Sequence, residues 1–211
     1  MIDIATMGWW QHDAAALALA DCANVVRLWS AQDMDEAGAR LQGICGLLAY
    51  TGAMPITANV IARLPALEII VVLGAGVDAV DVDAAAARGI VVQNCPAANT
   101  EDVAELAIGL LLAAGRGIAA ADAEIRRGNW VNVTTRRVSG RPLGIFGMGN
   151  IGRAVARRAE AFDMPVSYTS RHARPELPWR FVPSLHDLAQ EVDHLVIAAP
   201  ATPETLHIVD R

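Results

Sequence analysis

The chain has 211 residues, 54% of them hydrophobic and 19% charged, with a formal net charge of −6. That length is ample for a buried core, and the balance excludes a disordered tail. The basic residues form no long run, so the charge pattern gives no reason to expect nucleic acid or an anionic membrane surface as partner.

Strand-like runs and helical stretches alternate from the start. Residues 2–5, 25–28, 46–50, 68–73 and 90–93 read as strands, with Ala-rich or periodic segments such as 13–20 and 60–64 between them. Continuous apolar strands alternating with helices predict an α/β fold with a parallel sheet covered on both faces. Asp81 or Asp83 can cap the helix DAAAAR (83–88), and Gly89 ends it in the left-handed region.

The segment NCPAAN (94–99) reads as a linker, because Pro96 cannot continue a strand interior, and it places a domain boundary near residue 98. The next helix has Asn99 or Thr100 as its expected cap and Glu101 and Asp102 in its first turn, where the helix dipole favours anions. Val103, Leu106, Ala107, Leu110, Leu111 and Ala114 share one face by spacing. The longest apolar run, 106–115, is too short to span a bilayer, so no membrane is expected.

The sharpest signal is LGIFGMGNIGR (143–153). A strand-like run leads into GxGxxG at Gly147, Gly149 and Gly152, and a helix follows with Ile151, Val155, Ala159 and Phe162 on one face. A dinucleotide site needs this order. Gly147 serves the tight turn, Gly149 the approach of the pyrophosphate, and Gly152 the close packing of helix on strand. Gly147, Met148, Gly149, Asn150, Ile151 and Gly152 are therefore candidate cofactor contacts, with the pyrophosphate on the helix N–H groups.

A second strand is expected at 165–170. An Asp or Glu at its end would accept from the ribose 2′-hydroxyl of NAD, but this chain has Ser170, Arg171, His172 and Arg174 there. A hydroxyl and guanidinium groups suit a 2′-phosphate, so the expected cofactor is NADP, with NAD as the alternative. A third strand, 193–200, leads to Ala199, Pro200 and Thr202, which lie where a doubly wound sheet binds ligands; a plain connecting loop is the competing reading.

The blocks LGAGVDAVD (73–81), GIVVQNCP (89–96), NTEDVAELAIGLLL (99–112) and RGNW (127–130), followed by the glycine motif, resemble the D-isomer-specific 2-hydroxyacid dehydrogenases over essentially the whole chain. RAEAFDMPVSYTSR (158–171) and TPETLHIV (202–209) are most similar to the NADPH-using hydroxyphenylpyruvate, hydroxypyruvate and glyoxylate reductases. The resemblance implies a flavodoxin-like substrate domain over 1–98 and a doubly wound Rossmann domain over 99–211, of which the first half is present. It implies that backbone N–H groups of Gly74, Ala75 and Gly76 hold the carboxylate of a small 2-oxo or 2-hydroxy acid. It also implies a homodimer through the helix 100–114 and the segment up to Trp130.

Two departures stand out. Asn150 occupies a place where the family more often has Arg. The family's catalytic Arg, Glu and His lie downstream of the block matching 202–209, whereas this sequence stops at Arg211. His12, His172, His186, His194 and His207 have no position that inherits those roles, so no catalytic residue is assigned. The expectation is a truncated, inactive chain with three of the six Rossmann strands. Its first strand would be left as an apolar edge, and stability would be marginal. The leading function is hydride transfer between NAD(P)H and a 2-oxo acid; a non-catalytic nucleotide-binding module and an enzyme using a methyl-donor nucleotide are the alternatives. Cys22, Cys45 and Cys95 fit neither a disulfide framework nor a metal site, and together with the non-basic N-terminus they suggest a cytoplasmic protein.

Overall fold

The computed structural model describes residues 1–8, 12–50 and 54–209. The side chain of His12 lies outside the described part. The chain divides into two compact units, Met1–Ala98 and Asn99–Arg211.

The first unit contains β1 (Ile2–Met7), α1 (His12–Ala18), β2 (Ala23–Arg27), α2 (Ala31–Ala37), a 3-10 turn (Gly38–Gly43), β3 (Ile44–Tyr50), α3 (Ala58–Ala62), β4 (Ile69–Leu73), α4 (Val82–Ala87) and β5 (Val91–Asn94). The sheet is parallel, in the order β2-β1-β3-β4-β5. This is the flavodoxin-like winding. Met7, Leu28, Ile44, Leu47, Ile61, Leu64 and Ile70 fill its core. Five strands fall where the apolar runs were, shifted by one or two residues.

The missed helix α2 carries a signal of its own. Ser30 Oγ accepts from the Asp33 N–H at 3.1 Å, and Asp33 Oδ2 accepts from the Ser30 N–H at 2.9 Å. That is a capping box with Asp in the place of Glu. For α4, Asp81 is the cap, accepting from the Ala84 N–H at 2.9 Å, and Gly89 follows at φ +70°. Arg88 then closes α3 from outside, donating to the Leu64 and Pro65 carbonyls at 3.0 and 2.9 Å.

The second unit contains α5 (Thr100–Gly115), α6 (Ile118–Arg126), β6 (Leu143–Phe146), α7 (Asn150–Glu160), β7 (Val166–Thr169), β8 (Arg180–Phe181), α8 (Leu185–Glu191) and β9 (His194–Ile197). Its parallel sheet runs β8-β7-β6-β9. In order of appearance this is 3-2-1-4, the start of the doubly wound pattern.

Four expectations need correction. The sheet has four strands, because the short β8 precedes the strand expected third. The glycine-motif strand β6 is interior, with β7 on one side and β9 on the other, so the edges are β8 and β9. The buried stripe of α5 is Thr100, Ala104 and Ile108, while Leu106 and Leu110 are each 61% exposed. α5 is apolar nearly all round, so its periodicity could not choose a face. It packs on α7, and Arg158 of α7 ties it down by pairing with Glu101 at 2.7 Å and Glu105 at 3.3 Å. Finally, Asn99 occupies the cap position of α5 but makes no side-chain cap bond.

No single helix among the described residues is long and apolar enough to cross a membrane; α5 and α6 reach that length only as a pair bent by 67°.

Candidate functional site

The glycine loop connects β6 to α7, and each glycine answers to a different neighbour. Gly147 has φ +100°, and a Cβ there would stand 2.5 Å from the Ala199 nitrogen. Only a residue without Cβ lets the turn pass under the β9 loop. Gly152 faces the carbonyl oxygen of Gly147, which a Cβ would overlap. This lets α7 pack close on the end of β6. Gly149 has nothing within 4 Å of where its Cβ would point. It caps α7 without a side chain, so the first-turn N–H groups face open space at the positive end of the helix dipole.

The neighbouring loops are stitched to this one. The Gly147 N–H donates to the Thr169 carbonyl at 2.9 Å, and the Ala198 N–H donates to the Phe146 carbonyl at 2.7 Å. Three strand ends, those of β6, β7 and β9, therefore surround one cavity of about 580 Å³. Gly147, Met148, Gly149, Ser170, Arg171, Ala199, Pro200 and Thr202 line it. Asn150, Ile151 and Gly152 do not line it; they form the helix start beneath, where Asn150 Oδ1 accepts from Arg153 at 2.8 Å.

The loop after β7 is held from inside. Buried Tyr168 accepts from the Arg174 N–H at 2.7 Å through its hydroxyl and donates to the Arg174 carbonyl at 3.3 Å. Ser170 donates to the His172 carbonyl at 2.7 Å. Arg171 and His172 thus sit on a loop closed at both ends, and both reach the cavity. Opposite them, Thr205 donates to the Pro200 carbonyl at 2.6 Å and accepts from the Thr202 N–H at 2.8 Å. A hydrogen bond from Thr202 holds the Glu204 carboxyl below its ordinary value, and the charge of Arg171 adds to that. Phe146, Thr205 and Glu176 also line the cavity and were not foreseen. The ThrProGluThr pattern after β9 was the available signal for Thr205.

These features fit a dinucleotide: an uncapped helix start, a glycine with free approach, and cations with a hydroxyl at the end of the second strand. The comparisons with known proteins agree. Residues 108–211 match the family model of the D-isomer specific 2-hydroxyacid dehydrogenase NAD binding domain. A crystallised 2-hydroxyacid dehydrogenase from Ketogulonicigenium vulgare Y25 is 34% identical, with TM-score 0.84, over 99% of this chain and 68% of that one. The chain belongs to the D-isomer-specific 2-hydroxyacid dehydrogenase family.

Among relatives, glyoxylate/hydroxypyruvate reductase A of Arabidopsis thaliana is 38% identical over 89% of this chain and 61% of its own length. The NADPH-dependent glyoxylate/hydroxypyruvate reductase of Sinorhizobium meliloti, solved with NADP and malonate, is 35% identical with TM-score 0.88, over 97% of this chain and 64% of that one. The chain thus spans 61% of the length of the Arabidopsis relative. As in this family, the fold is α/β with a Rossmann NAD-binding domain.

In the first unit, Gly74, Ala75 and Gly76 follow β4. The Gly74 N–H donates to the Val72 carbonyl at 2.9 Å, so it is already engaged. The Ala75 carbonyl accepts from Asn94 Nδ2 at 2.7 Å. Among the described residues, the Ala75 and Gly76 N–H groups have no hydrogen-bond partner. Gly76 lines a small cavity of about 170 Å³ with Tyr50, Met54 and Asp78. Of the histidines with described side chains, His186 bonds Gln190 on α8, His194 starts β9, and only His172 lines the glycine-loop cavity. Among the described residues no three His, Cys, Asp or Glu side chains gather as a metal site would require.

Proposed function

We propose that this chain serves hydride transfer between NADPH and a small 2-oxo acid of the hydroxypyruvate or glyoxylate kind. The observation that carries the proposal is the shared cavity: the glycine loop, the Ser170–Arg171 pair and the Ala199–Thr202 loop line one space. Gly149 and the first turn of α7 hold the diphosphate. Ser170 and Arg171 meet the 2′-phosphate, which a carboxylate at residue 170 would repel. The nicotinamide, once bound, supplies or accepts the hydride. The Ala75 and Gly76 amides hold the substrate carboxylate, and Gly74 supports them rather than donating itself. NADP is preferred over NAD, and the NADPH-dependent Sinorhizobium meliloti relative supports this choice.

Within residues 1–211 we assign no general acid or base, and these residues alone bind cofactor without turnover. The exposed apolar side chains of α5 and α6, with Trp130, make a homodimer contact. A cytosolic location is part of the same reading, and the three free thiols support it. The test is a pair of assays on the 211-residue chain. NADPH fluorescence should change saturably, whereas absorbance should stay constant when hydroxypyruvate or glyoxylate is added. Steady NADPH oxidation would contradict the absence of an acid/base residue. Protection of the fold by S-adenosylmethionine in place of NADPH would overturn the assignment of cofactor.

A further inference from the structure

A second cavity, of about 300 Å³, lies at the amino ends of β6 and β9. Leu143 pairs with His194 there, whereas the glycine-loop cavity opens beyond Phe146 at the other end of the same strands. Four residues of strand separate the two, about 10 Å. The cavity is therefore distinct from the cofactor site.

Its wall carries Arg136, Arg137, Arg141 and His194 against a single carboxylate, Asp193. Asp193 is taken by Arg141, at 3.4 Å. Among the described residues, Arg136 and Arg137 have neither an ion-pair nor a hydrogen-bond partner. In a chain of net charge −6 this is a local reversal of sign. Adjacent guanidinium groups repel one another, and an anion between them removes that cost.

The backbone on either side of these two exposed arginines is held in place. Before them, Arg116 Nε donates to Thr135 Oγ1 at 3.1 Å. After them, Val138 is buried in the core, the Gly140 N–H donates to the Phe162 carbonyl at 2.9 Å, and the Arg141 N–H donates to the Val138 carbonyl at 3.1 Å. Val138 gets there because Gly115 lacks a Cβ, which would stand 2.7 Å from Val138 Cγ2. Gly115 and His194 then form part of the cavity lining. A backbone held on both sides of two exposed, unpaired arginines presents both guanidinium groups to an oxyanion.

We propose that this cavity binds a small, multiply charged oxyanion: a phosphate ester or a polycarboxylate. About 300 Å³ is at the lower end of small-molecule sites, large enough for a diphosphate or tricarboxylate and too small for a dinucleotide. The test titrates inorganic pyrophosphate and, separately, citrate into the full chain at saturating NADPH and constant ionic strength. One saturable site per chain is expected for at least one probe, weakened about tenfold to a hundredfold in R136Q/R137Q. The probe that binds tells which class the site takes. NADPH affinity, measured alongside, should not change in that variant, so failure here and failure of the cofactor assignment are separate outcomes. In the unsubstituted chain, the His194 ring resonances should shift on titration, a readout that does not depend on how the variant folds. No saturable binding of either probe, equal binding by R136Q/R137Q, or unmoved His194 resonances at saturation would overturn the proposal.

Discussion

Gly149 and Gly152 are three residues apart and answer to different masters, so substitution separates cofactor binding from folding. Alanine at residue 149 meets nothing within 4 Å, whereas at residue 152 it overlaps the Gly147 carbonyl oxygen. G149A should melt like the unsubstituted chain and lose NADPH affinity, because its methyl occupies the approach of the diphosphate. G152A should lose about 1–3 kcal/mol of stability as α7 is pushed off β6. Thermal denaturation with and without NADPH distinguishes them; equal melting temperatures for the two variants would contradict the packing role of Gly152. At this scale the sequence was informative, since GxGxxG names its glycines. It was silent on Tyr168, whose hydroxyl brackets the Arg174 backbone, because an apolar strand position gives no hint of its partner.

Between elements, legibility followed the strength of the local pattern. β6 and α7 were readable because a fully buried four-residue strand meets a helix with one clear apolar face. β8 was not, since two residues, Arg180 and Phe181, carry no periodicity and are ordered by pairing with β7. The face of α5 was misread for the opposite reason. Its leucines satisfy any helical stripe, and close approach to α7 selected Thr100, Ala104 and Ile108. The α5–α7 joint has an electrostatic component that can be tested by pH. A hydrogen bond from Arg158 holds the Glu101 carboxyl below its ordinary value of 4.5. A lowered folded value means that the contribution is fully present above pH 4.5 and is lost as pH falls through the folded value. The pair is exposed and its contribution small. Between pH 5 and 3, E101Q should show a shallower loss of melting temperature than the unsubstituted chain; parallel curves would contradict the assigned coupling.

Taken whole, the described residues form one hydrophobic core in each unit and leave apolar side chains of α5 and α6 exposed. Leu106, Leu110, Ile118 and Ile125 are each more than half exposed, and Trp130 is 91% exposed. Surfaces of this kind mark contacts between chains. Size-exclusion chromatography with light scattering should give a dimer, and L110K should shift it to monomer; a monomeric unsubstituted chain would contradict the proposed contact. The expected apolar central edge gives way to an edge at β9, where Ile197 is half exposed. The winding order, the glycine loop and the basic end of β7 converge on one cofactor assignment, and calorimetry of NADPH against NADH tests it most directly. NADPH should bind the unsubstituted chain at one site and more tightly than NADH, and S170D should weaken NADPH about tenfold to a hundredfold while sparing NADH. No heat with NADPH, or an equal loss for both nucleotides in S170D, would contradict it.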